Sequence, residues 1–543
     1  MFAPMKYILV IGNRRSKIDK GVLSSCIGVI LQSYGLSTTY LKLEPGLDSN
    51  LGKMQPSIHG EIYILKDGSE VNLSLGIFER FCGVYLTKEN FLSSGKVLHY
   101  LISEKKRRKE SIAKEIVLSN SYRKYIADYI CELSKSTICT IKNEEIIMEK
   151  PDVMIIEVGS SSNYDEYSMC LSGISSFVNQ LDEADRCVIA VSDFAKDSDA
   201  VYKVGSNVIM NVPESSMMSI DITFFKDPNK AAEPHVREIK MEENYYFMFK
   251  NSDFMFEMPC YYHDSGLYKA ISKKLLLNKD IVTFSAENKF KVLCKKYPTK
   301  RRVGILTRHK NDDEAYVSLL SCITTAGKHQ ECDIEAVMID IVSLYKKEAH
   351  TCLLLKEMDG IVIPGGFGDC YIDTRIEVAQ YARVHNVPCL GICLGFQIQL
   401  IEFARNVLNM KDATSKEFTE EYKTFIITKI SDFDKKLKDG TMFSGESTIE
   451  LTGVMESKIY KSKSILGKFR HSYCMDNSYI HSMAKEGMSF LGVSENYKTA
   501  ICMIEAHKFY VGVQHHPELS SRPERADPII SSFIEAVKKQ IHL

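Results

Sequence analysis

The stretch "VPCLGICLGFQIQLIEFARNVL" (387–408) constrains the fold of this chain more than any other. An apolar, strand-like run enters Gly391-Ile392-Cys393-Leu394-Gly395, and a helical pattern (Phe396, Leu400, Phe403, Ala404, Val407) follows with no intervening loop. A strand that turns this sharply into a helix needs small residues on both sides of the turn, and it lifts the residue at the apex into the open. The apex here is Cys393, at a helix N-terminus, where the positive end of the helix dipole favours a thiolate. Such a unit belongs in a parallel sheet with helices packed on its faces.

Similar alternation runs along most of the chain. "KYILVIG" (6–12), "TTYLKLE", "DVMIIEVG" (152–159) and "CVIAVS" (187–192) read as strands, and the residues from Lys20 to Gly35 read as a helix. "GEIYILKDGSEVNL" reads as a hairpin with Asp67-Gly68 at its turn. From about 213 to 300 the pattern gives way to polar, aromatic and Lys-rich sequence ending in "KKYPTKRR", which reads as a connection between domains. A second series opens at "VGIL" (303–306), continues through "DGIVIPGG" and "VPCLGI", and closes at "FYVGVQ" (509–514). The expected division is a first α/β domain over 1–285, a linker over 286–301 and a second α/β domain over 302–543.

Two more strand ends belong with Cys393. "IPGGFGD" (363–369) ends a strand in paired glycines, whose backbone N–H groups can face a developing oxyanion. "QHHPE" (514–518) places His516 and Glu518 on either side of a proline, so that the carboxylate can orient the imidazole as general base for Cys393.

The remaining composition narrows the class. Lys+Arg of 69 against Asp+Glu of 70 leaves a formal net charge of −1, which gives no bulk attraction to nucleic acid or to an anionic membrane. "EKKRRKE" (104–110) fits a solvated helix face. No stretch nears the roughly 18 apolar residues of a membrane helix, and the N-terminal apolar run is too short for a secretory signal. The 16 cysteines form no Cys-x-x-Cys pair, as expected of reduced thiols in a cytoplasmic protein.

With these motifs in hand, the second half resembles a class I glutamine amidotransferase domain, with Cys393, His516 and Glu518 at its triad positions. "PGGFG", "LGICLGFQ", "NMKDATSKEF" and "QHHPE" are similar to the glutaminase domain of the CTP synthase family. The resemblance implies a flavodoxin-like fold and a glutamine pocket lined by Gly366, Leu394, Gly395, Phe396, Gln397 and Glu417. In "KFRHSYCMD", Ser472 stands where the family has an arginine for the substrate carboxylate, with Arg470 near enough to replace it. Glu450 in "IELT" reverses a family charge, which implies weaker binding of glutamine or of a GTP activator.

The likeness continues into the first half through "KLEP" (42–45), "MQPSIHGE" (54–61) and "EVNLSLGIFERF" (70–81). It implies a P-loop-like, parallel-sheet synthetase domain that aminates UTP to CTP. ATP would be co-substrate, Mg²⁺ cofactor, ammonia from glutamine the nitrogen source, and a homotetramer the assembly. His59 would lie near the ammonia entry. Ser16, Lys20, Gly21, Lys42 and Asp165 match nucleotide-binding positions, and Asn72 and Glu157 match magnesium positions.

This half also departs from the family. The loop "IGNRRSKIDKG" (11–21) has Asn13, Arg14, Arg15, Lys17 and Asp19 where small residues would cradle phosphate. Asn72 replaces an aspartate, Ser74 another, and a Lys-x-Lys-Pro-Thr-Gln segment that grips UTP has no counterpart near 192–205. Three readings stand on the sequence: a glutamine-dependent ligase making CTP, a working glutaminase on an impaired synthetase, and a non-catalytic paralogue that tunes related assemblies.

Overall fold

The computed structural model describes residues 5–12, 20–46, 60–108, 120–142, 145–159, 164–178, 180–182, 185–193, 217–222, 246–248, 255–277, 287–308, 315–419, 421, 423–433, 441–494 and 498–540. The chain forms two compact units, one of residues 1–53 and 71–291, the other of residues 54–70 and 292–543.

The first unit is built on seven strands, all paired in parallel: Tyr246–Met248, Met217–Ile222, Arg186–Asp193, Lys6–Gly12, Val153–Val158, Thr38–Glu44 and Phe91–Ser93, in that order. The central strands are apolar on both faces, as a sheet covered by helices on each side requires. Leu9, Leu41, Leu43, Met154 and Ile156 meet Ile126 and Ile174 in one such layer. The helix Lys20–Ser33 is buried from Lys20 through Leu31, because the helix Leu73–Cys82 and the segments Met258–Asp264 and Leu267–Leu275 enclose it. Two strands and two helices of this unit therefore come from 213–300, which sequence patterning reads as a connection. The helix Leu267–Leu275 does carry a helical apolar period, with Leu267, Tyr268, Ala270, Ile271 and Leu275 buried, and the helix Glu287–Cys294 likewise occupies part of the stretch expected as linker.

The second unit holds a nine-stranded sheet. Asp333–Asp340, Lys300–Thr307, Gly360–Ile363, Cys389–Ile392 and Tyr510–Val513 run parallel; Lys498–Met503, Ser489–Ser494, Phe443–Leu451 and Ser464–His471 continue it antiparallel. The last helix, Pro528–Lys538, shows how local signals and packing agree. Asp527 accepts from the Ile529 N–H at 2.9 Å, Pro528 fits the first turn, and Ile529, Ile530, Phe533, Ile534 and Val537 are buried. Each of those side chains contributes about 1.5–3 kcal/mol by leaving water.

The expected hairpin is present, with Ile62–Ile64 paired to Glu70–Asn72 and the Gly68 N–H bonded to the Leu65 carbonyl. Its placement differs from a continuous domain over 1–285, because residues 54–70 cluster with the second unit. The reason is a set of polar bonds: Ser318 N–H donates to buried Glu61 Oε2 at 2.7 Å, and the Ser444 hydroxyl to the Gly68 carbonyl at 2.8 Å.

The helix after Cys393, Leu394–Asn406, is tied down by charge. Glu402 is fully buried, and Arg383 donates to it through Nε and Nη2, the latter at 2.8 Å. Removing one partner of such a pair strands a charge in low dielectric. Arg383→Met is therefore expected to destabilise the second unit by about 3–5 kcal/mol, read in the full chain as faster hydrogen exchange along Leu394–Asn406.

Candidate active site

Three neighbouring parallel strands end together: Gly360–Ile363, Cys389–Ile392 and Tyr510–Val513, in register Ile363 to Gly391 and Ile392 to Val513. Their carboxyl ends carry the glycine pair, Cys393 and the Gln514–Glu518 segment, so the sheet order itself assembles the three motifs. Cys393 adopts φ 53° and ψ −101°, a positive-φ conformation unusual for a side chain with Cβ. Its N–H donates to the Val513 carbonyl at 2.7 Å, which holds the apex to the adjoining strand. A Cβ on Gly395 would lie 1.9 Å from the Ile363 carbonyl oxygen, so only glycine lets the helix start this close to the sheet.

The His516 Nδ1 bonds to Glu518 Oε1 at 2.7 Å. A Cβ on Gly365 would sit 2.8 Å from His516 Cε1 and 3.4 Å from Cys393 Cβ, so this glycine lies directly against both side chains. Burial alone would lower the ionisation of His516, but the Glu518 carboxylate and the Cys393 sulfur outweigh it and hold the imidazole well above its ordinary value. His515 is tuned the opposite way. It is fully buried, both ring nitrogens are without a hydrogen-bond partner, and burial pushes it down to about 3. Of two adjacent histidines, only His516 has a carboxylate to keep its proton.

Around this centre the predicted residues are variously placed. Gly366 abuts the Leu394 side chain, and the Gly368 N–H donates to Glu417 Oε1 at 2.8 Å. Burial raises the Glu417 carboxyl above its ordinary value, only partly offset by that N–H. Gln397 is buried and donates through Nε2 to the Tyr473 carbonyl at 3.1 Å. Phe396 is wholly buried in the core, where its ring packs beside Gly512. Arg470 Nε donates to Glu70 Oε1 at 2.9 Å, and its guanidinium lies 4.8 Å from the centre of the Phe367 ring.

Sequence reasoning passed over Gln514, whose Nε2 donates to Cys393 Sγ at 3.6 Å, while the thiol faces the Arg470 carbonyl at 3.6 Å. The signal was available: in an extended segment, 514 and 516 fall on the same side.

In the first unit, Lys42 and Glu157 are register partners on adjacent strands, and both are buried. Lys42 Nζ bonds to Glu157 Oε1 and, at 3.0 Å, to the Ser74 hydroxyl; the Tyr40 hydroxyl bonds to Glu157 Oε2. Gly21 lies against Ser74, and buried Lys20 precedes it at the helix start. Asn72 stands at the N-cap of Leu73–Cys82, its Oδ1 buried with no hydrogen-bond partner. The Asn72 oxygen is an uncommitted donor of the kind a magnesium ion takes beside water and phosphate, whereas both Glu157 oxygens are engaged by Lys42 and Tyr40. The described residues contain no cluster of three or more His, Cys, Asp or Glu for an all-protein metal cage. Asp165 falls in the helix Tyr164–Val178. Ser16, His59 and the altered loop residues 13–19 lie outside the described residues.

A cysteine at a parallel-strand end beside a histidine–carboxylate pair suits thiol attack on an amide, and the family described as glutamine amidotransferase class-I matches residues 313–536. The family described as CTP synthase N-terminus matches residues 6–277, running well past the motifs that carried the likeness in the sequence. The chain belongs to the CTP synthase family, whose members are glutamine-dependent ligases. It is 30% identical to a CTP synthase of Methanoregula boonei, over 98% of this chain and 99% of that one. With a CTP synthase of Encephalitozoon cuniculi the identity is 27% over the same shares. Among solved structures it matches the glutaminase domain of Trypanosoma brucei CTPS with bound acivicin, at 25% identity and TM-score 0.42, covering 45% of this chain and 96% of that one. The sequence matches span both halves, and they favour neither the impaired-synthetase nor the scaffold reading. Among the described residues no helix is long and apolar enough to cross a membrane.

The two histidines give a direct check. Glu518→Gln removes the charge that raises His516, so its imidazole should lose its proton at a lower pH than in wild type. Nitrogen-15 shifts of the His516 ring, followed across pH in both proteins, read that displacement; an unchanged midpoint would contradict the assigned role of Glu518.

Proposed function

We propose that this protein makes CTP by ATP-dependent amination of UTP, with ammonia that its own second unit releases from glutamine. The observation that carries this reading is the Cys393 elbow lying beside a His516 held by Glu518 at 2.7 Å, in a chain of this family.

In the glutaminase step, the Cys393 sulfur attacks the side-chain amide carbon of glutamine, and the carbonyl oxygen takes the negative charge. The backbone N–H groups of Gly365 and Gly366 stabilise that oxyanion. His516 then protonates the departing nitrogen, and ammonia leaves behind a γ-glutamyl thioester. Water, deprotonated by the same imidazole, attacks the thioester; glutamate leaves and the thiol is restored. Glu417 pairs with the substrate ammonium, whose arrival offsets the burial that raises its carboxyl. Arg470 faces the substrate carboxylate while Glu70 and Phe367 fix its guanidinium. Gly395 and the buried Leu394, Phe396 and Gln397 shape the floor of that pocket.

In the ligase step, ATP phosphorylates the 4-oxygen of UTP, ammonia attacks the activated carbon, and phosphate leaves. Ser16, Lys20, Gly21, Lys42 and Asp165 hold the nucleotides. Asn72 and Glu157 would hold Mg²⁺, which when bound neutralises charge on the transferring phosphoryl group. GTP acts as activator. The working form is a cytoplasmic homotetramer; the apolar, exposed Ile146, Ile147 and Met148 on the strand Glu145–Glu149 support self-association.

Purified protein given UTP, ATP, Mg²⁺ and ammonium chloride should form CTP, and glutamine should replace the ammonium salt. Cys393→Ala should keep the ammonia reaction while its glutamine reaction falls by about 10⁴-fold or more. Cys393-dependent glutamate without CTP from either nitrogen source would overturn the ligase assignment. Chelating Mg²⁺ with EDTA should stop CTP formation and leave glutamine hydrolysis running.

A further inference from the structure

The hairpin Gly60–Glu70 is far in sequence from every glutaminase motif, yet its buried Tyr63 ends on the segment that carries His516 and Glu518. The Tyr63 hydroxyl donates to the Leu519 carbonyl at 2.9 Å, one residue beyond Glu518. It accepts from Lys468 Nζ at 2.8 Å, and the same ammonium lies 4.3 Å from the centre of the Tyr63 ring. The Lys468 carbonyl in turn accepts the His516 N–H at 2.8 Å. Lys468 thus holds the start of the His-Pro-Glu turn through its backbone, and reaches the end of that turn through Tyr63. Tyr63, Lys468 and Leu519 are all buried, at 1%, 3% and 4% exposure, so water does not substitute readily for the bonds between them.

From this arrangement we infer that Tyr63 is a positioning residue of the glutaminase: with Lys468 it closes a loop of hydrogen bonds that fixes the His516–Glu518 turn against Cys393. The inference rests on the assignment of Cys393, His516 and Glu518 to glutamine hydrolysis. Tyr63 touches neither substrate nor sulfur. Its effect passes through the Leu519 carbonyl to the turn, and from there to the angle at which His516 meets Cys393. Three further contacts keep the hairpin in register for this: Glu61 on the Ser318 N–H, Gly68 under the Ser444 hydroxyl, and the Glu446 N–H on the Lys66 carbonyl at 3.2 Å.

The test uses the full-length protein. Tyr63→Phe keeps the ring under Lys468 and deletes only the hydroxyl, and Lys468→Met removes the other end of the loop. Each is expected to lower kcat for glutamine hydrolysis about 10- to 100-fold with KM for glutamine nearly unchanged, and to move the alkaline limb of the pH profile. The double variant should be little worse than either single one, since both break one loop. Ammonia-dependent CTP formation should stay at the wild-type rate, which separates this effect from unfolding. Wild-type pH dependence and kcat in Tyr63→Phe, or fully multiplicative losses in the double variant, would overturn the inference. A wild-type protein that hydrolyses no glutamine would instead bring down the underlying assignment, and this inference with it.

Discussion

Much of the second unit depends on one close approach, that of Gly395 to the carbonyl of Ile363. Because nothing but hydrogen occupies that gap, the helix Leu394–Asn406 begins directly on the sheet, and Cys393 is forced into a positive-φ backbone conformation. Strain of that kind costs about 1–3 kcal/mol and persists only where its surroundings enforce it. Here the enforcing contacts are the Val513 carbonyl on the Cys393 N–H and, farther along the helix, buried Glu402 held by Arg383 of the helix Ile372–Val384. The strand that supplies the carbonyl also leads into the histidine. One backbone bond therefore both strains the nucleophile and sets its distance from its base.

The two units treat charge differently. In the second, His516 is surrounded so as to keep its proton, and its neighbour His515 so as to lose it, by opposite balances of burial and charge. In the first, Lys42 and Glu157 meet across adjacent strands with Tyr40 and Ser74 completing the contacts, while the Asn72 oxygen is left over. An asparagine at that position supplies an oxygen without a charge. Any cation seated there would owe more of its binding to nucleotide phosphates than to the protein.

What was legible in the sequence was what local chemistry encodes. The strand runs, the hairpin turn at Asp67-Gly68, the cysteine elbow and the His-Pro-Glu turn each follow from residues close together in the chain, and each has its element in the structure. The joining of those motifs at one sheet edge followed from reading all three as ends of parallel strands. Within 213–300 the helix Leu267–Leu275 was legible, since Leu267, Tyr268, Ala270, Ile271 and Leu275 recur at helical spacing and are buried, but it was passed over among the Lys-rich sequence around it. Gln514 was visible by alternation and passed over. Tyr63, Lys468 and the Arg383–Glu402 pair could not be found this way: no periodicity records which distant residue a buried hydroxyl or carboxylate will meet. The same limit explains why residues 54–70 read as part of the first domain.

That the second unit is discontinuous has a consequence for how the protein is made. Tyr63 leaves the ribosome 456 residues before the carbonyl it will hold. At ordinary synthesis rates that is a wait of about 20–90 s. Over that interval the hairpin's partners arrive one by one: Ser318 for Glu61 after 257 residues, Ser444 for Gly68 after 376, Lys468 for Tyr63 after 405, and the Leu519 carbonyl last. The first unit can complete its own sheet meanwhile, but the second cannot close until the chain is nearly finished. Nascent chains halted near residue 500 should therefore be the ones that chaperones hold longest.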